Sequence, residues 1–328
     1  MRRDAAVETN TDRGAQRRHR HLEQARLFSL QKIDDIRQRL GTLDLDNTTS
    51  VAVVGSLARL EASSQSDIDF IILGKTNEEK LLTALSKIAR DLGLSIPNPH
   101  GVFNKATELV DLIANIGTAG DTYENVSKRL LLLLEHASVA NADLLKSQVS
   151  TIAHTYVFSR SEQPSFTFLL NDAIRYFRTV CVNNESSFRE EKEKWALRNV
   201  KLKHSRIIMH CGLLLVLACA SGKRESEAYD WFLRAIELPP LDRIRFVFEE
   251  CRDRNFHIIE EAYDFFLEMI SSSEVRLSLS RLPYEDRHLN ITFLSLENNS
   301  RKLTSELYRF LHENSGMWSP RFLTRLIF

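Results

Sequence analysis

The sequence predicts an α+β protein in which a small mixed-sheet unit precedes a larger all-helical one. Three observations carry this. Glycine (11) and proline (7) are scarce among 328 residues, far below their usual combined share of roughly 12%, which favours long helices over a turn-rich β fold. The only strand-like apolar runs lie close together, at 50–54 and 67–73. From about residue 105 onward, apolar side chains recur at helical spacing nearly throughout.

Taken in order, residues 1–21 carry six arginines against three acids and almost no large apolar side chains, the composition of a disordered basic tail. Leu22, Ala25, Leu30, Ile33, Ile36 and Leu40 then recur at helical spacing until Gly41. Two strands follow, joined by a short helical segment after Gly55 and a polar turn at 63–66. Residues 77–92 return to helical periodicity, and 94–103, with two prolines, predict an edge strand or extended loop. Helices are expected at 124–135, 142–158, 166–183, 192–219, 225–237, 242–253 and 256–271, whereas 272–328 shows no clear pattern. The expected organisation is a tail (1–21), a sheet-bearing domain (22–115) and a helical domain (116–328).

Charge and cysteine usage narrow the function classes. Basic and acidic residues balance at 44 each, which argues against a protein that coats polyanions through net charge. Cys181, Cys211, Cys219 and Cys251 form no CxxC pair, so a zinc site is not expected and a reducing, cytoplasmic setting is. The apolar stretch 212–220 is too short to span a bilayer, so no membrane partner is expected.

One constellation carries chemistry: Gly55-Ser56, then Asp67-Ile68-Asp69, with an apolar strand on each side. Residues two apart on a strand share a face, about 6.5–7 Å apart, so Asp67 and Asp69 present adjacent carboxylates that repel unless a cation lies between them. Oxygen ligands of this kind suit Mg²⁺, or Mn²⁺, together with substrate phosphates. A glycine at a strand end lets backbone approach a phosphate closely, and Ser56 adds a hydroxyl. The GKS/T run of a P-loop is absent.

The run Gly55-Ser56-Leu57-Ala58-Arg59-Leu60-Glu61-Ala62-Ser63-Ser64-Gln65-Ser66-Asp67-Ile68-Asp69 resembles the signature of the DNA-polymerase-β-type nucleotidyltransferase superfamily. It is most similar to the bacterial minimal nucleotidyltransferases. The resemblance covers about 50–73, with weaker support to 115. It implies a small mixed sheet, Mg²⁺ held by Asp67 and Asp69, and transfer of a nucleoside monophosphate from an NTP, expected to be ATP, with release of pyrophosphate. Gly55, Ser56, Arg59 and Ser66 would surround the phosphates. The family usually places a third carboxylate on a later strand. Residues 94–103 hold none, leaving Glu108, Asp111 and Asp121 as the nearest candidates. The acceptor stays open among protein, RNA and small molecule, as does the oligomeric state.

The helical half adds a basic stretch, 194–206, with five bases and no acid. Lys194, Arg198, Lys201 and Ser205 form a stripe at helical spacing, and its bases are suited to phosphate. Arg175, which shares a helical face with Asp172, is a further candidate for binding the nucleotide's phosphates. Each of these also reads as a solvated helix face. Asp121 and Glu124 fit a helix cap, or else Asp121, Lys128 and Arg129 border the cleft. Arg198 and His204 resemble the R-x(4–6)-H pattern of HEPN ribonucleases. That likeness implies an alternative in which an RNA-cleaving toxin carries a regulatory nucleotidyltransferase half. A third reading is a catalytically inactive nucleotide-binding module.

Overall fold

The computed structural model describes residues 19–43, 45–95, 105–158, 162–190 and 194–327. The expected basic tail falls, but for its last three residues, outside them, as does most of 94–103. Helix α1 (Arg20–Leu40) leads into strands β1 (Ser50–Val54) and β2 (Asp69–Leu73). Helices α2 (Glu78–Asp91), α3 (Leu109–Ile113) and α4 (Tyr123–Leu134) precede strand β3 (Ala137–Ala140). The remainder of the described chain is helical: α5 (Ala142–Phe158), α6 (Thr167–Glu190), α7 (Trp195–Ser221), α8 (Glu225–Ile236), α9 (Pro240–Glu250), α10 (Phe256–Ser271), α11 (Ser273–Arg281), α12 (Ile291–Glu313) and α13 (Pro320–Ile327). The region 272–328, unassigned from the sequence, thus contributes three helices.

The sheet has the order β2-β1-β3 and its strands run antiparallel, with Val54 opposite Asp69 and Val53 opposite Ala137. Parallel pairing is confined to single bridges at Asp67–Ser95 and Leu73–Thr107. The period of two divides the strands between two cores. Val51, Val53, Phe70 and Ile72 pack with Ile33 and Ile36 of α1 and with Leu81 and Leu85 of α2. Ala52, Val54, Ile71 and Leu73 instead join the core built by the later helices.

Two expectations are corrected here. The boundary at 115/116 cuts through the sheet, because β3 comes from 137–140 and pairs with β1. The sheet's inner face and the helical half also bury their apolar side chains in one continuous cluster. The helical segment expected after Gly55 is a set of turns. The amides of Arg59 and Glu61 donate to the Gly55 and Ser56 carbonyls, both at 3.0 Å, and Leu60 at φ 60° ends the helical course. Leu60's left-handed conformation redirects the chain so that Arg59 and Glu61 can face one another.

Helix α7 is 27 residues long and apolar enough to cross a bilayer, but 67% of its apolar window is buried within the protein. It behaves as the central core helix. At Gly212 a Cβ would lie 2.8 Å from the Pro240 carbonyl, so glycine is what lets α9 pack this closely. Residues Leu202–Arg206 of α7 form a π turn, and that local widening shapes the site.

Candidate active site between the sheet and the helices

The ends of β1 and β2 meet the π turn of α7 and the helices α10 and α11 around a cleft of about 120 Å³. Gly55 begins it. It takes φ +76°, and a Cβ there would stand 2.9 Å from Asp69 Oδ2. Only glycine permits both the left-handed backbone and this approach to the carboxylate. Ser56 follows, and its Oγ is buried without a hydrogen-bond partner, although the great majority of buried polar atoms have one.

Asp67 is exposed and Asp69 half-buried, and both line the cleft. The backbone beside Asp67 is fixed by Ser95: the Ile68 amide donates to its carbonyl at 3.2 Å, and its own amide donates to Ser66 O at 3.3 Å. Among the described residues neither aspartate forms an ion pair. Burial, Asp67 and the more distant Glu135 push the Asp69 carboxyl up to about 6, against the opposing pull of Arg206 and Arg59. Asp69 is thus a carboxylate held against both burial and a neighbouring like charge, which is the situation a divalent cation relieves. Two carboxylates beside an unpartnered hydroxyl fit the oxygen preference of Mg²⁺ or Mn²⁺.

A second set of charges is fully satisfied. Arg59, buried, donates from Nε and Nη2 to Glu61 Oε1 at 2.8 and 2.6 Å, and from Nη1 to Glu135 Oε2 at 2.5 Å. Glu135 Oε1 accepts from the Gly55 amide at 2.9 Å. Glu61 also accepts from Ser205 Oγ at 2.5 Å and from the Tyr263 hydroxyl of α10. Although burial opposes charge on each, the ion pair holds Arg59 well above its usual range and Glu61 below the ordinary carboxylate value. This network ties the Gly55 turn to α7 and α10.

Facing the aspartates are Lys201, Arg206 and Arg276. In a π turn the hydrogen-bond span is five residues, which brings Lys201 and Arg206 onto one side together with Ser205. Arg206 Nη1 lies 3.6 Å from Glu135 Oε1. Arg276 Nη2 donates to the Gln65 carbonyl at 3.0 Å, linking α11 to the turn before Asp67. Lys201 has no ion-pair partner among the described residues, and burial pulls its ammonium below the usual value, with Arg276 acting in the same sense. The arrangement is two unpaired carboxylates opposite three cations in one cleft.

Residues 33–116 match the family model for a nucleotidyltransferase domain. The match spans about a quarter of the chain and includes β1, β2 and the turn between them. No curated protein matches the chain.

Of the residues expected from the sequence, Gly55, Ser56, Arg59, Ser66, Asp67, Asp69 and Lys201 line the cleft. Arg59, however, is already hydrogen-bonded to two glutamates, an arrangement that fixes the turn. Arg175 is exposed and pairs with Asp172 at 3.2 Å, on α6 and away from the cleft. Lys194 is exposed at the start of α7, and Arg198, one turn before Lys201, is not among the lining residues. The third-carboxylate candidates also lie elsewhere. Glu108 faces Lys75 at 3.4 Å, Asp111 is exposed, and Asp121 is paired with Arg129. The helix there is capped by Thr122, not Asp121, and Lys128 is buried against Lys105 O and Thr107 Oγ1.

The carboxylate that does reach the sheet is Glu135, at the junction of α4 and β3. Its signal in the sequence is a lone acid ending the run Leu130–Leu134, just before a short β-compatible stretch. Ser205, expected on the basic stripe, reaches the cleft; Arg206 stands out in the sequence only as part of the basic stretch 194–206, and Arg276 lies on α11, in the region without a clear sequence pattern. His204 points the other way. It is fully buried, stacks on Phe266 with ring centroids 4.6 Å apart, and meets Val200 O and Asn299 Nδ2. Burial pushes it down to about 4. An RNA phosphate has no path to it, so the Arg198/His204 ribonuclease reading is set aside.

Proposed function

We propose that the protein transfers a nucleoside monophosphate from an NTP, with ATP the expected donor, to an acceptor nucleophile, releasing pyrophosphate. The observation that carries this reading is the pairing of unneutralised Asp67 and Asp69 with Lys201, Arg206 and Arg276 across one cleft. Asp67 and Asp69 would hold Mg²⁺ or Mn²⁺, which supplies charge stabilisation for an in-line phosphoryl displacement. The chain's own groups do the rest. Lys201 and Arg276 receive the triphosphate's negative charge, and Ser56 Oγ donates the hydrogen bond it lacks within the protein. The Gly55 amide, held by Glu135, keeps the β1 turn open to that phosphate.

In the transfer an acceptor oxygen forms a bond to the α-phosphorus while the bond to the bridging oxygen of pyrophosphate breaks. The acceptor loses its proton and pyrophosphate leaves with the electron pair. Glu135, with both oxygens engaged, is a positioning residue and not the proton acceptor. The test is incubation with each α-labelled NTP, Mg²⁺ or Mn²⁺ and cell extract. Label is expected to enter one fraction, whether protein, RNA or small molecules, with stoichiometric pyrophosphate. NTP binding without pyrophosphate release from any of the four nucleotides would instead favour an inactive binding module.

A further inference from the structure

Behind β3, away from the transfer cleft, lies a cavity of about 240 Å³ whose lining includes His136, Ser138, Leu145, Val149, Leu233 and Ile236. The ion pair of Lys146 and Glu237, at 2.7 Å, stands among its lining side chains. The walls are otherwise mostly aliphatic, interrupted by His136, Ser138 and Ser150. His136 Nδ1 and Ser138 Oγ are both buried and neither has a hydrogen-bond partner. The His136 ring lies near the Leu132 carbonyl, yet Nδ1 makes no bond of acceptable geometry. Buried polar atoms left unpaired are costly, and two in one cavity point to something that pairs with them.

The chemistry of the missing partner is constrained. His136 and Ser138 are two residues apart at the entry to β3, so their side chains leave one face with Cα atoms about 7 Å apart. Burial, reinforced by Arg243, pushes the His136 ring down to about 4, so it is neutral and offers one lone pair or one N–H. Ser138 can donate or accept. A charged ligand would be stripped of water against Leu145, Val149, Leu233 and Ile236 without a free counter-charge, since Lys146 and Glu237 already neutralise each other. The volume suits a single ring with a small substituent.

We propose that this cavity binds a neutral planar molecule bearing a hydrogen-bond donor and acceptor side by side, such as an aromatic amide. Its polar edge meets His136 and Ser138, and its ring faces the aliphatic walls. The site is independent of the transfer reading, although its ligand would lie one residue behind Glu135.

The probe is benzamide, with benzene as a control of similar shape and no polar edge. Binding to the full chain is followed by calorimetry and by the His136 Cε1–H resonance. Benzamide is expected to bind saturably, to shift that resonance, and to bind more tightly than benzene. Ser138→Ala, a small change that leaves the fold intact, should weaken benzamide about tenfold, equivalent to about 1.4 kcal/mol, and leave benzene unaffected. Absence of saturable benzamide binding, equal binding of benzene, or unchanged affinity in Ser138→Ala would each overturn the proposal.

Discussion

Four carboxylates stand around the end of β1, and they fall into two regions that differ in one respect. Glu61 and Glu135 share the guanidinium of Arg59, and every acidic oxygen in that region has a donor. Asp67 and Asp69, a few residues along the same chain, form no ion pair among the described residues, and a buried serine hydroxyl beside them lacks a partner. Burial differs between them, since the Glu61 and Glu135 side chains are buried and Asp67 is exposed, but Asp69 is itself half-buried and still has no cation beside it in an ion pair among the described residues. The satisfied region fixes geometry and the unsatisfied region is left available for what arrives. Removing a group from the first should therefore harm the fold, and removing one from the second should harm only the chemistry.

The largest expected effect tests the unsatisfied region. Asp67→Asn or Asp69→Asn should lower transfer about 10³-fold or more by analogy with the loss of a principal electrostatic element. Thermal unfolding should show no loss of stability. For Asp69→Asn the unfolding temperature at pH 7 should rise, because the folded carboxyl at about 6 binds protons more readily than the unfolded one, so ionisation disfavours the fold above that range.

The next tests the satisfied region. Arg59→Met leaves Glu61 and Glu135 buried without their cation, and breaking buried ion pairs of this kind costs about 3–5 kcal/mol. Denaturant unfolding should reveal that loss together with inactivity. A stable, inactive Arg59→Met protein would erase the distinction between the two regions.

A smaller effect should follow from Lys201→Ala and Arg276→Ala. Each charge-assisted contact to phosphate is worth about 1.5–3 kcal/mol, so KM for the NTP should rise by about tenfold to a hundredfold. Arg175→Ala, on an exposed part of α6, should leave KM unchanged in the same assay.

The smallest concerns His204, which shares the π turn with Ser205 and Arg206 but faces the core. Its folded value near 4 lies below the ordinary 6.5, so the unfolded chain binds the extra proton first and stability falls as pH drops through that interval. Between pH 7 and 5.5 the loss should be about 1 kcal/mol. Burial pushes His136 and His210 down to about 4 as well, so His204→Gln should reduce the slope of this arm by its own share without abolishing it. Loss of an RNA-cleaving activity on that substitution would reopen the ribonuclease alternative.

What the sequence made legible follows from the range over which each feature is encoded. The Gly55-Ser56 turn and the Asp67/Asp69 strand are local, so period-two alternation and residue chemistry located them. The helices at 142–158 and 256–271 were read from the same kind of local periodicity and occur at those bounds. Strand β3 was missed because four residues, Ala137–Ala140, have no pattern long enough to register and are strands only through pairing with β1. Arg59 was assigned to phosphate because its partners, Glu61 and Glu135, are separated by 74 positions in the chain, and only folding shows that both reach it. The stripe Lys194–Arg198–Lys201 assumed an unbroken α-helix. Lys201 ends the regular helical stretch at the cleft and the π turn after it adds Ser205 and Arg206, whereas Lys194 precedes the helix at φ 65° and does not line the cleft.

The central claim is that Asp67 and Asp69 are left unpaired to hold the cation that accompanies the triphosphate. The most direct measurement is calorimetric titration of a non-hydrolysable ATP analogue, with and without Mg²⁺, into the natural protein and into Asp67→Asn and Asp69→Asn. The account predicts that Mg²⁺ tightens binding to the natural protein and has no such effect on either variant. Equal tightening by Mg²⁺ in all three proteins would contradict it.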